Sequence, residues 1–153
     1  MEYKTDKFGN KYWYINDELH RENRPAIEYT SGTTIWFLNN KRHREDGPAY
    51  EGFNGHKEWY LNGKLHREDG PAIEWVDGTK YWYLNGLRHR EDGPACESFN
   101  GSKSWYINGK LHREDGPAIE WSNGDKLWYY QDQEIDCKNN EEFLRIVKLI
   151  VFL

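Results

Sequence analysis

A 23-residue repeat organises most of the chain. Tryptophan recurs at this step, at Trp13, Trp36, Trp59, Trp82, Trp105 and Trp128. Histidine and proline keep the same step, and "KLHREDGPAIEW" occurs at residues 64–75 and again, unchanged, at residues 110–121. Self-similarity at a fixed period marks an architecture in which one supersecondary unit stacks on copies of itself. Each unit must therefore bury its apolar surface against its neighbours.

The repeat divides the chain into three parts. We predict an N-terminal cap over residues 1–10, five full repeats and one partial repeat over residues 11–133, and a C-terminal capping or docking helix over residues 134–153. The sixth unit fades after Trp128, where "QDQEIDCK" replaces the expected "NGKLHRED". The first copy of the motif is "HRENRPA", as expected of a terminal unit that faces solvent instead of a neighbour.

Each unit contains two short aromatic or β-branched runs closed by a turn. "TKYWYLNG" ends in Asn-Gly and "PAIEWVDGT" ends in Asp-Gly, which tolerate the positive φ that tight hairpin turns require. This pattern predicts about two strands per repeat, at residues 72–76 and 80–84 and their equivalents. The expected fold is all-β: an elongated antiparallel sheet of about a dozen strands, built of stacked hairpins, with a short C-terminal helix.

The segment "YWYLNGLRHREDGPA", followed by a Gly-containing turn, resembles the MORN repeat. That family combines an aromatic strand, an Asn-Gly turn, a basic stretch and a Gly-x-Gly, and the resemblance covers about residues 11–133. The second glycine pair becomes "DGP" here, which indicates a divergent branch. The resemblance implies a binding or scaffolding module without enzymatic activity. Tandem "HREDGPA" units also resemble proteins of phages, large DNA viruses and some bacteria, which implies a virus-encoded factor that acts on a host component.

Composition excludes several classes of partner and compartment. The net charge of -5 gives no global basic field, so no nucleic-acid binding is expected. Two cysteines form no disulfide framework, and "MEYKTDKFGN" has no apolar core for a signal peptide. We therefore expect the cytoplasm, or the host cytoplasm for a viral protein. The C-terminal apolar stretch is shorter than the ~20 residues of a membrane span.

The recurring His-Arg-Glu-Asp suggests metal binding or catalysis, but its spacing argues against both. Equivalent histidines two strands apart lie roughly 10 Å from each other, whereas zinc needs nitrogen ligands at about 2.1 Å. Five near-identical copies would also make five active sites, while enzymes assemble one pocket from non-equivalent residues. We predict no catalytic residue, no metal and no cofactor. Cys96 occupies a slot that holds isoleucine or, at Tyr50, tyrosine in other units and is interpreted as an apolar filler.

The two aromatic rows are the candidate core and the candidate binding surface. The six repeating tryptophans are predicted to be the structural core. Neighbouring strand residues face opposite sides, so the next slot forms a second row that the fold, a second copy or a ligand must cover. The candidate binding residues are Tyr14, Phe37, Tyr60, Tyr83, Tyr106 and Tyr129, with Arg42, His43, Arg44, Arg88, His89 and Arg90.

The motif arginines are interpreted as structural. Stacking predicts that Arg44, Arg67, Arg90 and Arg113 lie beside rows of acids on the next unit and form an ion-pair ladder. The alternative is that the repeated His-Arg row faces an acidic partner.

A second period of 46 residues runs through the repeat. Leucine precedes the motif histidine in odd units, at Leu19, Leu65 and Leu111, but arginine precedes it in even units, at Arg42 and Arg88. We infer that odd and even units meet different surroundings. A strong twist, a closed two-sided arrangement and a partner that touches every second unit are the alternatives.

The tail "NNEEFLRIVKLIVFL" breaks the repeat. Asn139 and Glu142 form a capping-box pattern, and Phe143, Ile146, Val147 and Ile150 fall on one helical face. A helix that covers the last edge or an aromatic row is expected, with homodimerisation through this segment or docking to a partner as alternatives.

The sequence as a whole predicts a non-enzymatic repeat module for protein–protein binding. The alternatives are sequestration of a nucleotide-like small molecule and a structural component of an assembly.

Overall fold

The structure, a computed structural model, describes residues 2–151. Met1, Phe152 and Leu153, which belong to the predicted terminal segments, lie outside the described residues. The first strands are β1 (Glu2–Thr5), β2 (Lys11–Ile15), β3 (Glu18–Leu19), β4 (Ile27–Glu28), β5 (Thr34–Ile35), β6 (Phe37–Leu38), β7 (Lys41–Arg42), β8 (Tyr50–Glu51), β9 (Lys57–Glu58), β10 (Tyr60–Leu61), β11 (Lys64–Leu65) and β12 (Ile73–Glu74). They are followed by β13 (Lys80–Tyr81), β14 (Tyr83–Leu84), β15 (Leu87–Arg88), β16 (Cys96–Glu97), β17 (Lys103–Ser104), β18 (Tyr106–Ile107), β19 (Lys110–Leu111), β20 (Ile119–Glu120), β21 (Lys126–Leu127), β22 (Tyr129–Tyr130), β23 (Gln133–Glu134) and α1 (Asn140–Val151).

One long antiparallel sheet joins all the units. Its strand order is β1-β2-β4-β5-β8-β9-β12-β13-β16-β17-β20-β21, and β3 pairs with β2 outside this path. Ile73 pairs with Glu58 of its own unit on one side and with Tyr81 of the next unit on the other. The predicted all-β fold, with an elongated sheet that grows by one hairpin per repeat and a C-terminal helix, is confirmed.

Units two to five each contain four two-residue strands, and the first unit contains two such strands and the five-residue β2, so the prediction of two strands per unit undercounts them. The expected strand over residues 80–84 is interrupted at Trp82, because this residue connects two different ladders. The Trp82 amide donates to the Ala95 carbonyl at 2.8 Å, while the Trp82 carbonyl accepts from the His89 amide at 3.2 Å. From the second unit on, the chain thus leaves the long sheet at the tryptophan and enters a two-stranded hairpin such as β14–β15, whereas β2 continues through Trp13.

The two-stranded hairpins are also hydrogen-bonded from one unit to the next. The Arg67 amide donates to the Tyr83 carbonyl at 3.0 Å, and the Gly86 amide donates to the Leu65 carbonyl at 2.8 Å. Equivalent pairs of bonds recur at the other junctions, with small changes of donor at the first and last. Adjacent units are therefore joined along two rows of backbone hydrogen bonds, and odd and even units have the same backbone connections.

The most deeply buried positions of the repeats are small. The alanine of each Pro-Ala pair is completely buried, at Ala26, Ala49, Ala72, Ala95 and Ala118. The six repeating tryptophans, which the sequence places in the core, are only partly buried. An alanine permits close packing beside the tryptophan of the same unit, whose amide binds the alanine carbonyl. The fold is thin, and large rings cover its surface instead of filling a deep core.

The helix α1 covers the last unit. The Asn139 side chain accepts from the Glu142 amide at 3.0 Å, so the predicted cap at Asn139 is confirmed. Glu142 in turn accepts from the Lys138 amide at 2.9 Å, one residue before the expected position of a capping box. Phe143 and Val147 are buried in one cluster with Ile135. Trp128, Tyr130, Cys137 and Ile146 pack against this cluster, whereas Ile150 is exposed.

Candidate binding surfaces

Five equivalent loops carry the repeated "HREDGP" motif, and we call them the motif loops: residues 20–25, 43–48, 66–71, 89–94 and 112–117. In the third loop, the Arg67 guanidinium lies 4.0 Å from the centroid of the Trp59 ring. Its Nε donates to Asp69 at 2.9 Å, and one terminal nitrogen donates to the Pro71 carbonyl at 3.2 Å and to Glu74 at 3.0 Å. One arginine therefore fixes the tryptophan, the loop and the following strand of its own repeat.

The predicted ladder between motif arginines and acids of the next unit is wrong. Arg44, Arg67, Arg90 and Arg113 each pair with the Asp and Glu two and seven residues ahead in the sequence. The loop folds back over its tryptophan. The Arg67 guanidinium therefore binds Asp69 in the loop and Glu74 in the following strand, both in its own unit.

The glycine of the motif leaves room for this arginine. A Cβ atom at Gly70 would lie 3.0 Å from the Arg67 Cζ, and the equivalent distance at Gly47 is 2.8 Å. Such distances are shorter than ordinary van der Waals contacts. The first loop has Asn23 and Arg24 at the Asp and Gly positions, and its arginine keeps the ring contact, at 3.9 Å from Trp13. The Asp-Gly pair thus supports the arginine geometry of the four inner loops.

The motif arginines lower the pKa of the aspartates that they bind. The hydrogen bond from the Arg67 guanidinium, together with its positive charge, lowers the pKa of the Asp69 carboxyl below its ordinary value of 3.8. The equivalent arginines lower the pKa of Asp46, Asp92 and Asp115 in the same way. These aspartates therefore remain ionised at neutral pH and are committed to a contact within the fold.

The motif histidines connect consecutive units. Nδ1 of His66 accepts a hydrogen bond of 3.1 Å from the backbone amide of Asn85, which opens the Asn-Gly turn of the next unit with a φ of 53°. The same bond occurs at His43 and His89, at 3.1 Å in each case. Nδ1 of His66 also lies 3.1 Å from the Asn85 side-chain oxygen, so the ring contacts both the backbone and the side chain of this asparagine. The histidine positions that the sequence singles out thus have a structural partner in the next repeat.

The candidate row of Tyr14, Phe37, Tyr60, Tyr83, Tyr106 and Tyr129 is partly buried. The even-unit arginines lie among these rings. Arg42 lies 5.2 Å from the Tyr60 ring centroid and pairs with Glu58 at 3.0 Å, and Arg88 lies 5.3 Å from that of Tyr106. The fold thus already partly covers this row. The alternation of odd and even units is local, because Leu65 opposite Tyr60 and Arg88 opposite Tyr83 occupy the same hairpin position while the backbone pairing stays the same.

Four grooves lie between consecutive motif loops, and we call them the motif grooves. The groove between the third and fourth loops has Arg67 to Pro71 on one wall, His89 to Asp92 on the other, and Trp82 and Leu84 at its base. Its volume is about 680 Å³, and the grooves between the second and third and between the fourth and fifth loops measure about 760 and 800 Å³. The first groove, beside the divergent loop, is smaller at about 390 Å³.

A second surface, which the sequence reasoning missed, runs along the Gly-containing turns of the long sheet. Phe53 and Phe99 are 74% and 71% exposed, and Trp75, Val76 and Trp121 are also exposed. We call these five residues the aromatic edge. Successive turns touch, since the Phe53 amide donates to Thr33 and the Phe99 amide to Thr79, each at 3.1 Å. A phenylalanine directly before an Asn-Gly turn was the available signal, because no strand pairing buries such a position.

His56 lies within this row of turns, at the position that Thr33 and Thr79 occupy in other units. It is buried, and its ring stacks on Trp75 with centroids 3.9 Å apart. Nε2 contacts Glu58 at 2.9 Å, and Nδ1 contacts the Glu74 carbonyl at 3.2 Å. His56 therefore holds Trp75, one of the largest side chains of the aromatic edge, against the preceding turn.

Residues 2–151 contain no cluster of three or more His, Cys, Asp or Glu side chains arranged to hold a metal ion. Burial raises the pKa of the Cys96 thiol, which suits an unreactive residue in a slot that other units fill with isoleucine or tyrosine. Within the same part of the chain, no helix is long and apolar enough to cross a membrane.

Comparisons with protein-family models and with curated proteins give no match for this chain. The structure itself shows a tandem repeat of β-hairpins joined in one sheet and covered at its end by a helix.

Proposed function

We propose that the chain is a non-enzymatic, MORN-like repeat module that binds another protein through its aromatic edge. The observation that carries this proposal is the exposure of Phe53 and Phe99 together with Trp75 and Trp121 along one row of touching turns. Large exposed apolar patches mark interaction sites, and aromatic residues are enriched among the residues that dominate binding energy.

The arrangement favours a protein partner over a small molecule. Pockets for small molecules are concave and enclose most of the ligand surface. The aromatic edge is spread along the tips of turns from three or more repeats, so a ligand that covers it must itself be extended or large. The resemblance of the "HREDGPA" units to viral proteins supports a virus-encoded factor that binds a host component in the host cytoplasm. A second copy of the chain, bound through the C-terminal segment, is the alternative protein partner.

The experiment compares three forms of the chain as bait in extract of the native cell. Phe53→Ser with Phe99→Ser removes the two most exposed aromatic rings of the edge, while Leu87→Ser changes an exposed leucine that lies outside both the edge and the C-terminal segment. Circular dichroism first establishes that all forms are folded. We expect one protein to be retained by wild type and by the leucine control, and its retention to fall at least tenfold with the phenylalanine variant.

Equal retention by all three forms would reject the aromatic edge as the binding surface. A small molecule of constant mass, retained by the wild-type chain in native mass spectrometry, would instead support sequestration. An open-ended series of oligomers would support a structural role in an assembly.

A further inference from the structure

The motif grooves lie on a surface separate from the aromatic edge. The three inner grooves have the same types of wall residue and a tryptophan with an aliphatic residue at the base, for example Trp59 with Leu61 and Trp82 with Leu84. The three inner grooves are similar in volume, at about 680 to 800 Å³. A ligand that fits one of them therefore fits its neighbours, and a ligand with a matching repeat can occupy several at once.

The walls of the grooves carry glutamates that form no ion pair with the motif arginines. Each inner motif combines one arginine with three carboxylates, and the arginine binds only two of them, as Arg67 binds Asp69 and Glu74. The third carboxylate is highly exposed, with side-chain exposures of 86% at Glu45, 85% at Glu68 and 86% at Glu91. Its nearest base is a histidine Nε2 at 3.6 to 3.7 Å. Each inner loop therefore presents a carboxylate to solvent without a cationic hydrogen-bond partner.

The base of each groove suits a long basic side chain. Lysine and arginine place their methylene groups along apolar surfaces while the charged end remains near water or an anion. The Arg90 guanidinium already lies 4.1 Å from the Trp82 ring centroid, so an incoming side chain would cross Leu84 beside this pair and bring its charged end to the exposed carboxylates of the two walls. The charge of the surface and its apolar base therefore both favour a cationic polypeptide over an anionic ligand.

The repeat distance selects the conformation of this polypeptide. Equivalent residues of neighbouring units lie two strands apart, which corresponds to about 9.6 Å. A polyproline II helix has three residues per turn and rises 3.1 Å per residue, so every third side chain points the same way at intervals of about 9.3 Å. A β-strand does not match, because its side chains alternate between two faces. Aromatic-lined grooves are also a recurrent recognition surface for polyproline II segments.

We propose that the motif grooves bind a basic polyproline II segment of a partner protein, with lysine or arginine at every third residue. One basic side chain enters each groove, and its charge pairs with the exposed glutamates of the motif loops. The binding is independent of the aromatic edge and adds a second, electrostatic contact to the proposed protein-binding function.

The test uses two labelled synthetic peptides of identical composition. One contains four Arg-Pro-Pro triplets, and the other contains four consecutive arginines followed by eight prolines. Fluorescence anisotropy at low salt gives the Kd of each for the purified chain. We expect the triplet peptide to bind at least tenfold more tightly, and its binding to weaken as salt is added. Equal affinities, tighter binding of the clustered peptide, or no binding of either would overturn the proposal.

Matched variants locate the site. Glu68→Gln with Glu91→Gln removes two exposed groove carboxylates that make no bond to the motif arginines, and it should weaken binding of the triplet peptide at least fivefold. Glu2→Gln with Glu18→Gln makes the same change of charge at exposed positions outside the grooves and should have little effect. Equal weakening by both pairs would indicate non-specific attraction and reject the site. Phe53→Ser with Phe99→Ser should bind the peptide like wild type, so failure at the aromatic edge and failure at the grooves are distinguishable.

Discussion

The Arg67 guanidinium lies over the Trp59 ring with its central carbon 4.0 Å from the ring centroid, and its Nε donates to Asp69 at 2.9 Å. The same arrangement occurs at Arg44 on Trp36 and at Arg90 on Trp82. Such a stack is a cation–π contact whose geometry depends on the planar fork of arginine. The repeated motif is therefore explained by packing inside each unit, and the following predictions test its parts.

Gly70→Ala should displace Arg67, because the new Cβ would lie 3.0 Å from the arginine Cζ. We expect a loss of about 1 to 3 kcal/mol in the free energy of unfolding, as for other overpacked sites. The measurement is a double-mutant cycle in urea with Arg67→Ala. If the arginine is the cause, Gly70→Ala should cost much less in the Arg67→Ala background. The same cost in both backgrounds would place the cause in the backbone of the loop.

His66→Ala should remove the hydrogen bond that joins the third unit to the Asn85 amide of the fourth. The Asn85 amide would lose its acceptor, at a cost of about 1 kcal/mol. His66→Asn should be milder, because an amide oxygen on a short side chain can replace Nδ1. Hydrogen exchange of the Asn85 amide is the direct measurement, and it should be faster in His66→Ala than in wild type or His66→Asn. Unchanged exchange in His66→Ala would contradict the proposed junction bond.

Acid should weaken the motif loops through their aspartates. The folded-state pKa of Asp46, Asp69, Asp92 and Asp115 is lowered by the arginine contacts, so this stabilisation is fully present above the ordinary value of 3.8. It is lost as the pH falls below 3.8 and through the folded-state pKa. Urea unfolding between pH 6 and pH 2 should show a steeper decline for wild type than for a variant with all four aspartates changed to asparagine. Parallel pH profiles would show that the contacts between the aspartates and the arginines do not contribute to the free energy of unfolding.

Phe143→Ala should weaken the packing of the C-terminal helix against the last unit. Phe143 is completely buried in the cluster that covers Trp128 and Ile135, so its truncation should cost about 3 to 5 kcal/mol. Leu149→Ala, on the exposed side of the same helix, should change stability by less than about 0.5 kcal/mol. Thermal unfolding followed by tryptophan fluorescence separates the two. Equal stability of both variants would show that the helix does not support the last unit.

The repeat, the hairpins and the helix cap were predictable because each rests on local chemistry. Asn62 adopts a φ of 51° in its Asn-Gly turn, as the turn sequence requires. Asn139 binds the amide three residues ahead, as the capping pattern requires. These features depend on a few adjacent residues and recur in every unit or stand at a clear boundary.

The contacts of long side chains and the exposed surface were not predictable in the same way. Arg67 reaches Glu74 in its own repeat only because the loop between them folds back, and the sequence does not specify that path. Hydrophobic pattern also does not distinguish Phe53, which is exposed at a turn, from Tyr50, which is partly covered in a strand. The position of Phe53 directly before an Asn-Gly turn is the one local signal, and the register of the hairpins places it in one row with the other residues of the aromatic edge.

The free energy of unfolding of Arg67→Lys tests the structural account of the motif most directly. Lysine keeps the positive charge but cannot bind Asp69, Glu74 and the Pro71 carbonyl from one planar group. We predict a loss of about 2 to 3 kcal/mol by urea denaturation, since hydrogen bonds to charged groups are the strong ones. Arg145→Lys, on an exposed position of the helix, serves as the control and should match wild type. Stability equal to wild type in Arg67→Lys would contradict the account and return the motif to a role in binding or chemistry.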